Sequence, residues 1–202
     1  MGECFLSLDI GTSSVRAALF DEDGLQRNIS DMEYELTTTA DGRAEMDADL
    51  VFDCVIKVIR ECVDQARLRR NGLTGSSSGK GESNYSVAGI GISCHMHSLM
   101  LVDDKGRPLT PLMTWADNRA SAQAEFIASH YDVGDLYNRT GCRVQHPLYP
   151  VSKILWYKIN EPDLFNKAAK FITIKEYLIF KLYGVFAVDY TLASCQGCYN
   201  IH

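Results

Sequence analysis

The 202-residue chain has no apolar run approaching the roughly 20 residues that a membrane-spanning helix needs. Its N-terminus lacks a basic segment followed by an apolar one, so no secretory signal is expected. Met1-Gly2 is followed by Leu6 at the position where an N-myristoylation site wants Ser or Thr. Basic surface is also scarce. The net charge is -6, and acids and bases are mixed along the chain. Phosphate-backbone binding wants a concentrated basic face, which argues against nucleic acid as a partner. The one dense basic cluster, Arg67, Arg69 and Arg70, reads as a solvated helix end, where cations are favoured. Among the seven cysteines, Cys195-x-x-Cys198 has metal or redox spacing but no second pair and no histidine cluster beside it. A structural zinc site needs about four ligands. Cys4, Cys54, Cys62 and Cys94 lie in apolar runs and read as small buried hydrophobes in a reducing compartment. The expectation is a cytoplasmic protein with no nucleic-acid or membrane partner.

What is present suits a globular α/β fold. Hydrophobic residues make up 46% of the chain and charged residues 23%, enough apolar material for a real core. Cys4 to Leu8 and Val15 to Phe20 have strand length, separated by the polar turn Gly11-Thr12-Ser13-Ser14. Asp21-Glu22-Asp23-Gly24 is a hairpin signal, with Leu25 to Ser30 returning. Consecutive hairpins differ from a Rossmann unit, where a helix follows the first strand. Asp47 suits the N-cap of a helix carrying Val51, Cys54, Val55, Val58, Ile59, Cys62, Val63 and Ala66 at helical spacing. Residues 71–84 are Gly- and Ser-rich and read as a flexible loop interrupting one domain of residues 1–202. Val87 to Ser93 and Leu99 to Val102 read as strands. Helices are expected over about 120–129, 151–159 and 174–183, with a short one starting at Pro162.

Two places concentrate chemistry. The first is Asp9-Ile10-Gly11-Thr12-Ser13-Ser14-Val15-Arg16, between two strands. A glycine turn presents amides to an anion, and three hydroxyls add donors. Asp9 could hold Mg²⁺ through water beside phosphates. A plain hairpin with polar turn residues is the other reading. The second place comprises Gly91 to Asp103, with His95, Met96 and His97, and Pro111 to Ala120, with Trp115, Asp117, Asn118 and Arg119. Two histidines two apart on a strand point the same way. They could bind hydroxyls, or they could be ordinary half-buried histidines. Met96 would face the opposite side unless a strand end reorients it. Trp115 offers a flat face to sugar C–H groups. Arg119 could pair with a carboxylate. Asp117 could instead cap the following helix, with Arg119 on its surface.

Together these segments resemble the FGGY carbohydrate kinases, within the actin-like ATPase superfamily, and the gluconokinase branch most. Asp9 to Arg16 resembles the phosphate loop. The Met96-His97 and Trp115-x-Asp117-x-Arg119 segments resemble the substrate segments. Lys170 to Tyr177 and Val188 to Ser194 match as well, so the likeness covers almost the whole chain. It implies an RNase H-like lobe, a mixed five-stranded sheet flanked by helices. It also implies ATP and Mg²⁺ as cofactors and a sugar or sugar acid as substrate. Asp9, Gly11, Thr12, Ser13, Ser14 and Arg16 would face the nucleotide phosphates. Met96, His97, Trp115, Asp117, Asn118 and Arg119 would face the sugar, with His95 and His146 as further candidates.

The family's catalytic base is an aspartate in a Gly-Asp turn well after the Asp-Tyr-Thr-x-Ala-Ser segment, and this chain reaches His202 only eight residues after Ser194. The expectation is the N-terminal lobe of a kinase, with a second lobe as its missing partner and apolar surface where that lobe docks, through which the chain could self-associate. The alternative is a non-catalytic protein that uses the lobe to bind a sugar or a partner. A chaperone-like or actin-like ATPase has no use for the Met-His and Trp-x-Asp-x-Arg segments. The purified chain is expected to show no ATP-dependent sugar phosphorylation in a coupled ADP-release assay, and clear turnover would overturn that.

Overall fold

A computed structural model describes residues 2–70 and 86–202. The loop expected at 71–84 lies outside the described residues, as do the side chains of Arg67, Arg69 and Arg70. In chain order the elements are β1 (Glu3–Ile10), β2 (Ser14–Asp21), β3 (Gln26–Glu33), β4 (Thr37–Thr38), β5 (Ala44–Met46), α1 (Ala48–Arg70), β6 (Ser86–Cys94), β7 (Met100–Val102), β8 (Leu112–Met113), α2 (Ser121–His130), α3 (Val133–Thr140), α4 (Pro150–Asn160), α5 (Pro162–Lys167), β9 (Lys170–Ile172), α6 (Ile174–Tyr183) and α7 (Tyr190–Ser194). They divide into two compact units, residues 1–34 with 49–94, and residues 35–48 with 95–202.

The first unit is a four-stranded sheet in the order β3-β2-β1-β6 with α1. Along β1 the side chains alternate. Cys4, Leu6, Leu8 and Ile10 are buried, while Glu3, Phe5, Ser7 and Asp9 are exposed. That period of two is what a half-buried strand imposes. β1 runs antiparallel to β2 and parallel to β6, and the register sets Asp9 between Arg16 and Ser93. A parallel neighbour needs a crossover connection, and α1 lies in it. Val51, Cys54, Val55, Val58, Cys62 and Ala66 form the buried stripe of α1. Two hydrogen bonds fasten α1 to β3: Asn28 Nδ2 donates to Cys62 O at 2.7 Å, and Ser30 Oγ to Glu61 at 2.8 Å. Phe5, Val87 and Ile90 remain exposed.

The second unit holds a three-stranded sheet, β4-β5-β8, a two-stranded sheet, β7-β9, and helices α2 to α7. One apolar cluster gathers Leu99, Leu101, Met113 and Tyr157, with Ile154, Trp156 and Phe171 against them. Another gathers Ile127, Cys142 and Val144, with Val151, Leu155 and Tyr149. Helix α4 feeds both clusters, so its position is fixed from two sides. Pro150 starts it, where the missing N–H costs nothing. A capping box of Thr173 and Glu176 starts α6, and Gly184, at φ 73°, ends it.

The α/β arrangement with a mixed sheet is as expected from the sequence, with two corrections. The main sheet has four strands among the described residues, not five. The candidate fifth, at Met100–Val102, pairs antiparallel with β9 instead. The second correction concerns His95 and His97, which are not on a strand. β6 ends at Cys94, and His97 takes φ 61°, a left-handed conformation that no strand can contain.

Leu8, 1% exposed, tests the first unit. Leu8→Ala is expected to destabilise it by about 2–5 kcal/mol, read as a lower urea midpoint at unchanged slope. An unchanged midpoint would contradict the burial pattern.

Candidate functional site

In the first unit the polar turn between β1 and β2 is tight. Gly11 N donates to Ser14 O at 2.9 Å. Gly11 does not have a left-handed backbone; its need for glycine is spatial, because a Cβ would lie 3.3 Å from Ser14 O. Tyr34, at the end of this unit's first segment, clamps the turn. Its N–H donates to Ser13 O at 3.0 Å, and its hydroxyl proton is shared between Gly11 O at 2.8 Å and Ser14 O at 3.0 Å. Burial, with smaller contributions from Cys54, Cys94 and Asp9, pushes the Tyr34 hydroxyl's pKa up, so it stays a donor. Asp9 and Arg16 are exposed beside the turn, Ser13 is exposed, and Gly11, Thr12 and Ser14 are half-buried. One exposed carboxylate with hydroxyls around it fits Mg²⁺, which keeps most of its waters and takes few protein ligands.

In the second unit the chain leaves β6 through His95, Met96 and His97. His97 is the one non-glycine residue with positive φ among the described residues. A left-handed backbone at a non-glycine residue costs on the order of 1–3 kcal/mol, and persists only where its surroundings enforce it. Three groups do so here. His97 Nδ1 lies 2.8 Å from Cys195 O, its ring meets Tyr149 edge-on at 5.0 Å, and its carbonyl accepts from Lys153 Nζ at 2.7 Å. Burial lowers the His97 pKa, the Cys195 carbonyl opposes this, and the charges of Lys153 and His146 add to the lowering. The ring is therefore neutral near pH 7. Its Nδ1–H donates to Cys195, and Nε2 is left as an acceptor.

Met96 lies in the turn after the strand end and is 45% exposed, with Cys195 Sγ 3.4 Å from its sulfur. His95 differs from both. Both its ring nitrogens are buried and without a hydrogen-bond partner. Burial is the main cause that pushes its pKa down to about 4, so it is neutral at physiological pH. His146 is exposed, and its Nδ1 accepts from Leu148 N at 3.1 Å.

The Trp115 segment splits into exposed and buried parts. Trp115 is 51% exposed, and Asn118 is exposed too. Asp117 is 0% exposed. Its carboxylate accepts from Ala44 N at 2.9 Å and from the Arg119 guanidinium in a forked pair at 2.9 and 2.6 Å. Arg119 also pairs with Glu45, and its guanidinium stands 5.1 Å over the Trp156 ring. The two residues are thus committed to protein partners. Asp117 does not cap α2 with its side chain, since that helix has no side-chain cap, and Arg119 is not on the helix surface.

Three supporting residues were not singled out from the sequence, Tyr34, Lys153 and Tyr149, and a fourth, Cys195, was read there only for its metal or redox spacing. A lysine inside the α4 pattern and an aromatic just before it look like ordinary positions. Lys153 is nevertheless fully buried, with Nζ donating to Thr114 O at 2.6 Å as well as to His97 O. It joins the two substrate-candidate segments.

A mixed-sheet unit bearing a phosphate-type turn, together with a unit presenting Met-His and Trp segments, defines a sugar-kinase lobe of the actin-like ATPase type. The chain belongs to the FGGY family of carbohydrate kinases, whose N-terminal domain matches residues 4–202. It is 33% identical over 201 residues to the gluconokinase of Bacillus subtilis (strain 168), covering all of this chain and 36% of that protein. The crystal structure of gluconate kinase from Lactobacillus acidophilus superposes with a TM-score of 0.85 at 31% identity, over 100% of this chain and 37% of that one. Plasmodium falciparum glycerol kinase with ADP shares the fold, with a TM-score of 0.86 at 21% identity, over 99% of this chain and 38% of that one. The chain thus spans little more than a third of the length of these relatives.

Breaking the buried pair tests the frame of the site. Asp117→Ala is expected to destabilise the second unit by about 3–5 kcal/mol, because it strands a buried guanidinium and the Ala44 amide. Thermal unfolding followed by circular dichroism reads this, and an unchanged Tm would contradict the assignment.

Proposed function

We propose that the chain supplies the phosphate-binding turn and the sugar-binding surface of an ATP-dependent carbohydrate kinase, with gluconate as the acceptor. The observation that carries this reading is the locked left-handed His97 between exposed Met96 and the joint at Lys153. Its Nε2 accepts a hydrogen bond from a substrate hydroxyl, the Trp115 face packs on sugar C–H groups, and the Asn118 amide supplies a donor and an acceptor. Arg119 is already paired, so it frames the site and leaves the sugar's carboxylate to Asn118. The hydroxyl-binding surface is argued from geometry; gluconate is argued from the gluconokinase relatives.

The turn Gly11 to Ser14 holds nucleotide phosphate, Asp9 holds Mg²⁺ through water, and Arg16 lies beside them. Bound Mg²⁺ would neutralise charge on the transferring phosphoryl group. Asp117 is no candidate for the base that accepts the hydroxyl proton, being buried in an ion pair. Asp9 belongs to the phosphates. The base and a second lobe are assigned to the length of the relatives that this chain does not span. Exposed Phe5, Val87 and Ile90 give the lobe apolar surface for association.

Calorimetric titration of the chain with gluconate, xylulose and glycerol tests the reading. Gluconate is expected to bind most tightly, and Trp115→Ala to weaken it about tenfold, as loss of an aromatic anchor does. Tighter glycerol or xylulose binding would overturn the sugar-acid assignment. Binding of none, or an indifferent Trp115→Ala, would overturn the surface itself.

A further inference from the structure

Lys153 is the one fully buried lysine among the described residues, and no carboxylate is hydrogen-bonded to it. A buried ammonium without a hydrogen-bonded counter-ion is costly unless polar groups replace its water. Here two main-chain carbonyls do so, at 2.7 Å from His97 and 2.6 Å from Thr114. Neither carbonyl is arbitrary. The first belongs to the residue in the left-handed conformation; the second belongs to the residue directly before Trp115. One nitrogen therefore holds both halves of the proposed sugar surface within two hydrogen-bond lengths of each other. The stem of Lys153 rises from α4, which both apolar clusters of the unit immobilise. The anchor point is rigid, and the two attached loops are the parts with no regular structure of their own.

We propose that Lys153 is a positioning residue, whose side chain fixes the His97 loop against the Trp115 loop and so sets the shape of the sugar site. This rests on the surface proposed above. It acts through other residues, for it is 0% exposed and does not meet substrate. The arrangement explains why His97 keeps an unfavourable backbone. Its ring is tied to Cys195 O and its carbonyl to Lys153, so a relaxed backbone would break a hydrogen bond to a charged donor. A lysine also suits the place better than an arginine, because a compact ammonium can touch two carbonyls converging on one point.

The protonation of Lys153 supports the geometry. Burial pushes its pKa down to about 7, with Asp117 raising it and Arg119 lowering it further. Burial is the main cause that lowers the pKa values of His95 and His97, and the Lys153 charge adds to it. The unfolded lysine titrates near its ordinary value of about 10.4. Between the two values the unfolded state binds more protons, so this group's contribution to stability rises with pH from about 7 and levels off above the unfolded value. An amine retains two N–H groups, enough for both carbonyls, so the clamp persists through the titration.

The test compares the wild-type chain with Lys153→Met and Lys153→Arg by amide NMR and by gluconate titration. Lys153→Met is expected to keep the resonances of β1, β2 and α1 and to shift those of Met96, His97, Ser98 and Trp115. Gluconate affinity should fall about tenfold or more, the loss expected for hydrogen bonds to a charged donor. Lys153→Arg, keeping the donors, should recover part of it. Unchanged His97 and Trp115 signals in Lys153→Met would overturn the proposal. So would shifts spread evenly over α4, β7 and α6, which mark a general packing role. If the wild type binds no gluconate, the sugar-surface reading fails while the resonance shifts still decide the role of Lys153. If Lys153→Met does not fold, the wild type decides. Its lysine Cε signal and the Ser98 and Trp115 amides should share one midpoint near neutrality. A lysine midpoint near its ordinary value, or amides that ignore it, would contradict the proposal.

Discussion

The second unit depends on one buried carboxylate. Asp117 has no solvent, so its charge has to be met by protein. It is met by the Ala44 amide at the start of β5 and by one edge of the Arg119 guanidinium, through Nε and Nη2. Arg119 carries the pairing on to Glu45 and rests on the Trp156 ring. Thr114 closes the same knot, its hydroxyl and its amide both reaching Ala44 O. Residues far apart in sequence are thereby joined at one point, and Trp115 has no freedom to leave it. The exposure of Trp115 follows from the burial of its neighbours.

The proposed substrate surface reads as two loops held from behind. Asp117 fixes one from its C-terminal side; Lys153 and Cys195 fix the other. The end of α7 contributes its carbonyl to the His97 ring and its thiol to Met96. Its N-cap, Asp189, accepts from Leu192 N and pairs with Lys175 of α6 at 2.6 Å. The Cys195-x-x-Cys198 spacing thus has a structural use at its first cysteine that needs no metal. In the first unit Tyr34 plays a similar part for the Gly11 to Ser14 turn, its hydroxyl donating to the Gly11 and Ser14 carbonyls.

Much of this was legible in the sequence, for reasons that differ by region. The alternation in β1 and the apolar stripe of α1 are strong periodic signals, and both elements stand where they pointed. α6 begins and ends as its capping residues dictate. α3 was missed: its eight residues are too few for a periodic signal, though Asp132 and Gly141 cap it. The fifth strand of the main sheet failed because the short apolar run Leu99 to Val102 does not say which partner it will take. At the site, Met96, His97 and Trp115 are visible from chemistry and resemblance, while the left-handed turn at His97 is not, since histidine carries no requirement for it. Asp117 and Arg119 were visible as polar residues, but their burial arises from Glu45 and Ala44, some seventy positions away. Lys153 was hidden by its company, a charged residue in a helix that is otherwise half apolar.

The central claim is that Met96, His97, Trp115 and Asn118 form a sugar-binding surface held by Lys153 and Asp117. An amide and indole correlation map of the chain titrated with gluconate tests it most directly. The account predicts saturable shifts largest at the Met96 and His97 amides, the Trp115 indole and the Asn118 side-chain amide, with the Gly11 to Ser14 turn responding to nucleotide and not to gluconate. Saturable shifts centred elsewhere, with those four residues silent, would contradict it.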